Sequence, residues 1–133
     1  MVTAHKNLVL ILMRDLASNV AIPFFVVDAE GTLVYYNGAA EQVLGLRWAE
    51  AGELKAGEWG TRWDPQDAEG SSIPAEDLPL AIAFSQQRPA HGELSLKTPD
   101  GIRRSIEATA FPLFGKAGDF AGAVAIFWEK GGS

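Results

Sequence analysis

Apolar residues in this chain recur first with a helical period and then with a strand period, and the places where one gives way to the other mark its elements. Residues 3–17 read as a helix, with Asn19 placed to cap it and Pro23 beyond to stop it. Val2, His5, Val9, Leu12 and Leu16 fall at alternating spacings of three and four, as in a coiled-coil seam. Leu8, Leu10, Ile11 and Met13 fall outside that seam, so the middle of the helix is apolar nearly all round and needs two surfaces to cover it. One is the domain's own sheet. The other is expected to be a second copy of the chain, giving a homodimer with that seam as its interface; an ordinary amphipathic helix capping its own core accounts for the pattern equally well.

The next stretch changes period. Phe24, Phe25, Val26 and Val27 make a short β-type run, and Asp28-Ala29-Glu30-Gly31 is a turn in which Asp28 bonds backbone ahead of it and Gly31 takes positive φ. Thr32–Tyr36 is the return strand of an antiparallel hairpin. Asn37 then caps a helix over Gly38–Leu44, and Gly45 supplies a left-handed end.

Residues 46–72 are irregular and rich in Gly, Glu and Trp, with room for one or two short helical turns. Ala75–Gln87 is predicted as one helix, with Pro74 and Pro79 near its start and Leu78, Ala81, Ile82 and Ser85 on one face. Leu94 and Leu96 alternate with Glu93, Ser95 and Lys97, and Ile106, Ala108 and Ala110 alternate with polar residues along Ile102–Leu113. In Ala121–Trp128 both alternating sets are apolar, as in Phe24–Val27, so those two strands belong inside a sheet covered on both faces. The fold class is α+β: a five-stranded antiparallel sheet whose first and last strands are inner.

A length of 133 residues suits one domain, divided here into an N-terminal helix (1–20), a core domain (21–130) and a tail (131–133). Cysteine is absent, which excludes disulfides, thiolate metal sites and cysteine nucleophiles and fits a cytoplasmic location. A net charge of −6 disfavours nucleic acid and anionic membrane surfaces as partners. The longest apolar run, Leu8–Met13, is far short of the roughly 20 residues of a membrane span.

Catalytic constellations are scarce. The two histidines, His5 and His91, have no metal-ligand spacing, and His91 is expected at the surface. Asp64, Asp67 and Glu69 depart from calcium-loop spacing, and Glu76 and Asp77 suit a helix N-terminus better than an acid/base pair. No nucleophile elbow or phosphate-binding loop is present. An enzyme would have to use a buried acid such as Asp28 or Glu107 as its base.

The order Asp-x-x-Gly, apolar strand, Asn37 and a short helix ending in Gly45 resembles the entry segment of a PAS sensory domain. Asp67–Leu80 resembles that family's middle segment, and Pro99-Asp100-Gly101, the strand ending at Phe111-Pro112-Leu113 and the Gly-Ala-Val-rich last strand resemble its closing strands. The resemblance covers about Pro23 to Glu129. It implies that the first and last strands are neighbours, with short helices on one face, an N-terminal helix on the other, and a ligand between sheet and short helices. Phe25, Leu44, Ile82, Ile106, Ala108, Ala110, Val124 and Ile126 would then surround the pocket, with Trp59 and Trp63 closing one end. The lack of cysteine excludes cysteine-adduct flavin chemistry, and a helix 75–87 without histidine weakens haem; non-covalent flavin, a fatty acid or another apolar metabolite, or no ligand stay open. Members that feed an adjoining enzyme commonly end in Asp-x-Thr before a coiled coil, whereas here Trp128-Glu129-Lys130-Gly131-Gly132-Ser133 stands in that place. The chain is therefore either a fragment cut before an effector domain or a free-standing sensor meeting an effector protein. The expected function is a non-catalytic sensory or protein-interaction module in signal transduction. The alternatives are a structural homodimerisation domain with a filled core and, from another class, a small cone-shaped α+β enzyme.

Overall fold

The turn at Asp28 sets the first strand pairing. In the computed structural model, which describes residues 3–130 and the side chains from Leu8 onward except that of Ala56, Asp28 Oδ1 accepts from the amides of Glu30 and Thr32 at 2.9 and 3.0 Å. Strands β1 (Phe24–Asp28) and β2 (Leu33–Tyr36) leave that turn antiparallel. Strands β3 (Ala90–Lys97), β4 (Arg103–Phe114) and β5 (Phe120–Glu129) complete one antiparallel sheet in the order β2-β1-β5-β4-β3. The strands with two apolar faces are thus both inner, as the hydrophobic pattern predicts, and they are neighbours, as the family resemblance implies.

One residue makes the β1–β5 contact that close. Gly122, opposite Asp28, has φ 145°, and a Cβ built there would lie 2.1 Å from the Val27 carbonyl oxygen. Only glycine admits both the backbone angle and the approach.

Helices divide between the two sheet faces. On one side lie α2 (Gly38–Leu44), the short α3 (Trp48–Ala51) and α4 (Ala56–Trp59), and α5 (Pro79–Gln86), over a core of Phe25, Val27, Leu33, Tyr36, Ile106, Ala108, Ala123, Ala125 and Phe127. On the other side α1 (Thr3–Ser18) lies across a smaller core of Phe24, Val26, Leu113, Ala121 and Val124. The predicted caps of α2 are present: the Ala40 amide donates to Asn37 Oδ1 at 3.0 Å, and Gly45 adopts φ 70°.

The predicted helix 75–87 is two pieces. Ala75–Asp77 form a 3₁₀ turn, Leu78 is extended at φ −69°, ψ 146°, and α5 starts only at Pro79. Proline disfavours helical backbone in the residue before it, so Pro79 begins a helix and cannot sit inside one. The reset shifts the buried face to Leu80 and Ala83, leaving Ile82 half-buried and Ser85 exposed.

The α1 seam also resolves differently from the heptad pattern. Val9, with Leu10, Met13 and Ala17, packs on the sheet, while Leu8, Ile11, Leu12 and Leu16 are 54, 60, 59 and 50% exposed. Val2 and the His5 side chain lie outside the described residues. Helix 3.6-residue geometry, rather than a strict 3.5 repeat, decides which side meets the sheet.

Candidate functional site

Between the sheet and α4–α5 lies a narrow chamber of about 80 Å³. Its walls are Phe25, Ala125 and Phe127 from β1 and β5, Ile106 and Ala108 from β4, Leu94 and Leu96 from β3, and Leu44, Trp59, Trp63, Pro65, Leu78, Pro79 and Leu80 from the helical side. Every one of these side chains is apolar or presents an aromatic ring. The indole N–H groups of both tryptophans point away from the space, Trp59 Nε1 donating to the Gly31 carbonyl at 2.7 Å and Trp63 Nε1 to the Leu44 carbonyl at 2.9 Å. Those two bonds fix the rings as wall and leave no polar side-chain group aimed inward.

Phe25 anchors an aromatic cluster around one end of the chamber. Its ring stacks on Tyr36 at 5.9 Å and meets Trp59 and Trp63 edge-on at 5.9 and 6.2 Å. Edge-to-face and offset pairs of this kind each add about 0.5–1.5 kcal/mol beyond simple burial. Tyr36 donates its hydroxyl to the Leu46 carbonyl at 2.7 Å. Burial, and next the nearby Glu41 carboxylate, push that hydroxyl up to about 12 from 10.0, against an opposing pull from Arg62.

Of the pocket residues the sequence suggests, Phe25, Leu44, Trp59, Trp63, Ile106 and Ala108 line the chamber. Four do not. Val124 and Ile126 face α1 on the opposite side of the sheet, because β5 pairs Ala125 with Phe25 and Phe127 with Ala108, which puts Ala123, Ala125 and Phe127 on the inner side. Ala110 is fully buried in the same core but does not line the chamber, and Ile82 is turned aside by the late start of α5. The residues missed were Ala125 and Phe127, together with Leu78, Pro79, Leu80, Leu94, Leu96 and Pro65. The alternation of Leu94 with Leu96 already marked an inward face; the two faces of β5 are equally apolar, so its inner set follows only from register.

The walls limit what the chamber can hold. Ligand pockets for drug-sized molecules run to about 300–1,000 Å³, and an engineered cavity of roughly 150 Å³ holds benzene. A flavin ring would find no side-chain hydrogen-bond partner on these walls, and no lining side chain can ligate a haem iron. His91, on the opposite sheet face, is exposed and sits 3.4 Å from Glu107 Oε2. Glu107 also accepts from Trp128 Nε1 at 3.3 Å, and Asp28 is committed to its turn, so neither acid faces the chamber. Among the described residues no group of three or more His, Cys, Asp or Glu is placed to hold a metal ion, and no helix is long and apolar enough to cross a membrane.

Comparisons with known proteins place this geometry. Solved structures similar to the chain include the PAS domain of a Colwellia psychrerythraea protein, at 18% identity and TM-score 0.64, covering 90% of this chain and 95% of that one. The LOV protein of Rhodobacter sphaeroides is similar at 15% identity and TM-score 0.69, covering 91% and 67%. The light-state dimer of the fungal blue-light photoreceptor Vivid is similar at 14% identity and TM-score 0.63, covering 84% and 79%. No curated protein matches the chain in sequence. The profile of the PAS fold family matches residues 17–130, which take in the whole sheet, both cores and the buried Asn37 that joins α1 to them, and the chain belongs to that family.

Proposed function

We propose that this chain is a non-catalytic sensory module of signal transduction in which a small apolar molecule occupies the chamber and α1 carries the response. PAS domains are commonly sensory signalling modules. The observation that carries the reading is the position of β5: Ala125 and Phe127 line the chamber while Val124 and Ile126, alternating with them, bed α1. A ligand that binds one arrangement of β5 better than another shifts the population of both faces together. The chamber's size and lack of polar side-chain groups select a small hydrocarbon-like ligand, or the apolar end of a longer one. Benzene serves as the probe. Saturable shifts of the Phe25 and Ala108 signals by nuclear magnetic resonance support the reading, and no shift at millimolar benzene removes it.

A second reading is favoured by α1 itself, whose exposed Leu8, Ile11, Leu12 and Leu16 form one stripe. On this reading the domain pairs with a second copy through α1, as the photoreceptor Vivid has been seen paired, and the core is filled rather than sensing. A mass of two chains by light scattering at micromolar concentration, falling to one in Leu12→Glu, supports pairing. A single-chain mass in the wild type disposes of it. Absence of cysteine suits a reducing cytoplasm, and an effector protein or domain receiving the α1 signal completes the scheme.

A further inference from the structure

A second cavity, of about 270 Å³, lies against the outer side of Trp63 and is lined by Arg62, Trp63, Asp64, Lys97, Thr98 and Pro99. Trp63 is the wall it shares with the inner chamber. The Lys97 amide donates to the Trp63 carbonyl at 2.7 Å, and Arg62 precedes Trp63, so the fold fixes two cationic side chains beside one aromatic partition. Both cations are exposed, and among the described residues neither makes an ion pair. The groove's one carboxylate, Asp64, is neutralised by Arg103 Nη2 at 2.7 Å. In a chain of net charge −6, two cations without an ion-pair partner beside the wall of an apolar space are a local reversal of the general field.

We propose that this groove is the head-group site for an amphiphilic carboxylate, its carboxylate held between Arg62 and Lys97 and its hydrocarbon tail passing Trp63 into the chamber. Arginine offers paired donors matched to a carboxylate and lysine a point charge, while the chamber offers only hydrocarbon contact. Entry requires Trp63 to release its hydrogen bond to the Leu44 carbonyl and its edge-on contacts with Phe25 and Tyr36. The inference rests on the chamber binding an apolar group, and its test separates the two.

Calorimetric titration of the full chain with straight-chain carboxylates from acetate to octanoate, with 1-octanol as the neutral match and benzene as the probe of the chamber alone, decides it. Affinity is expected to rise roughly fourfold per methylene until the chamber is filled. Octanoate is expected to bind at least about tenfold more tightly than 1-octanol, and the double variant Arg62→Ala/Lys97→Ala, altered only at exposed positions, to erase that preference while leaving 1-octanol unchanged. Equal binding of octanoate and octanol, a preference that survives the double variant, or carboxylate binding independent of chain length each overturns the proposal. If benzene still binds in any of those cases the chamber reading stands alone; if benzene fails too, both fall.

Discussion

Asn37 Nδ2 donates to the Ala17 carbonyl oxygen at 2.8 Å, a bond that ties the last turn of α1 to the start of α2. The same side-chain nitrogen reaches the Ile22 carbonyl at 2.9 Å, and Oδ1 accepts from the amides of Phe24 and Ala40, both at 3.0 Å. One buried amide therefore caps a helix, starts a strand and pins α1. Asn37→Ala strands several buried backbone groups, and a loss of about 2–4 kcal/mol is expected by urea denaturation. Asn37→Asp keeps the accepting oxygens but sets an anion against two carbonyls. Hydrogen exchange in α1 should then accelerate at least tenfold while α2 stays protected; equal loss of protection in both would show that Asn37 is a cap and nothing more.

Gly122→Ala is predicted to cost at least about 3 kcal/mol, since the added carbon meets the Val27 backbone oxygen and no side-chain rotation relieves it. A melting temperature within two or three degrees of wild type would contradict the close β1–β5 contact.

Ala108 and Ala110 are two residues apart on one face of β4, but only Ala108 borders open space. Ala108→Leu is expected to change stability by less than about 1 kcal/mol and to abolish benzene binding, whereas Ala110→Leu overpacks a filled site and costs about 1–3 kcal/mol. Equal penalties at both sites would mean that the core has no usable space.

The Tyr36 hydroxyl, held to about 12 in the fold against 10.0 in the unfolded chain, makes stability depend on pH in the alkaline range. The folded state keeps this proton to higher pH, so the contribution is complete below pH 10.0 and is lost between there and about 12. The side chain is fully buried, and a rise of that size corresponds to on the order of 2 kcal/mol. Tyr36→Phe should flatten that limb of a stability–pH curve, and an unchanged limb would assign it to another group.

Sequence patterning reached the hairpin and both α2 caps, because each depends on neighbours a few positions apart, Asp28 with Thr32 and Asn37 with Ala40; it marked the first and last strands as inner, while their adjacency came from the family resemblance. It reached only part of the chamber. The inward set of β5 depends on register with Phe25 and Ala108, partners about 100 and 19 positions away, and both sets read equally apolar. The break at Leu78 was legible in Pro79, but the strong apolar period on either side obscured it. Asn37 reads from sequence as a cap; its hold on Ala17 and Ile22 comes from the chain folding back, which no local pattern encodes.

Apolarity on both sides of β5 also governs what happens when its neighbours let go. Ala121–Trp128 carries no charge and no proline and is rich in branched and aromatic residues, the composition of segments that stack into cross-β fibrils. In the native sheet β1 and β4 occupy both of its edges. A chain lacking residues 1–20 would bare Val124 and its surroundings to water, and turbidity on gentle warming, well below the melting point of the intact protein, is the expected result. The strand best placed to relay a signal is thereby the one that most needs α1 as its guard.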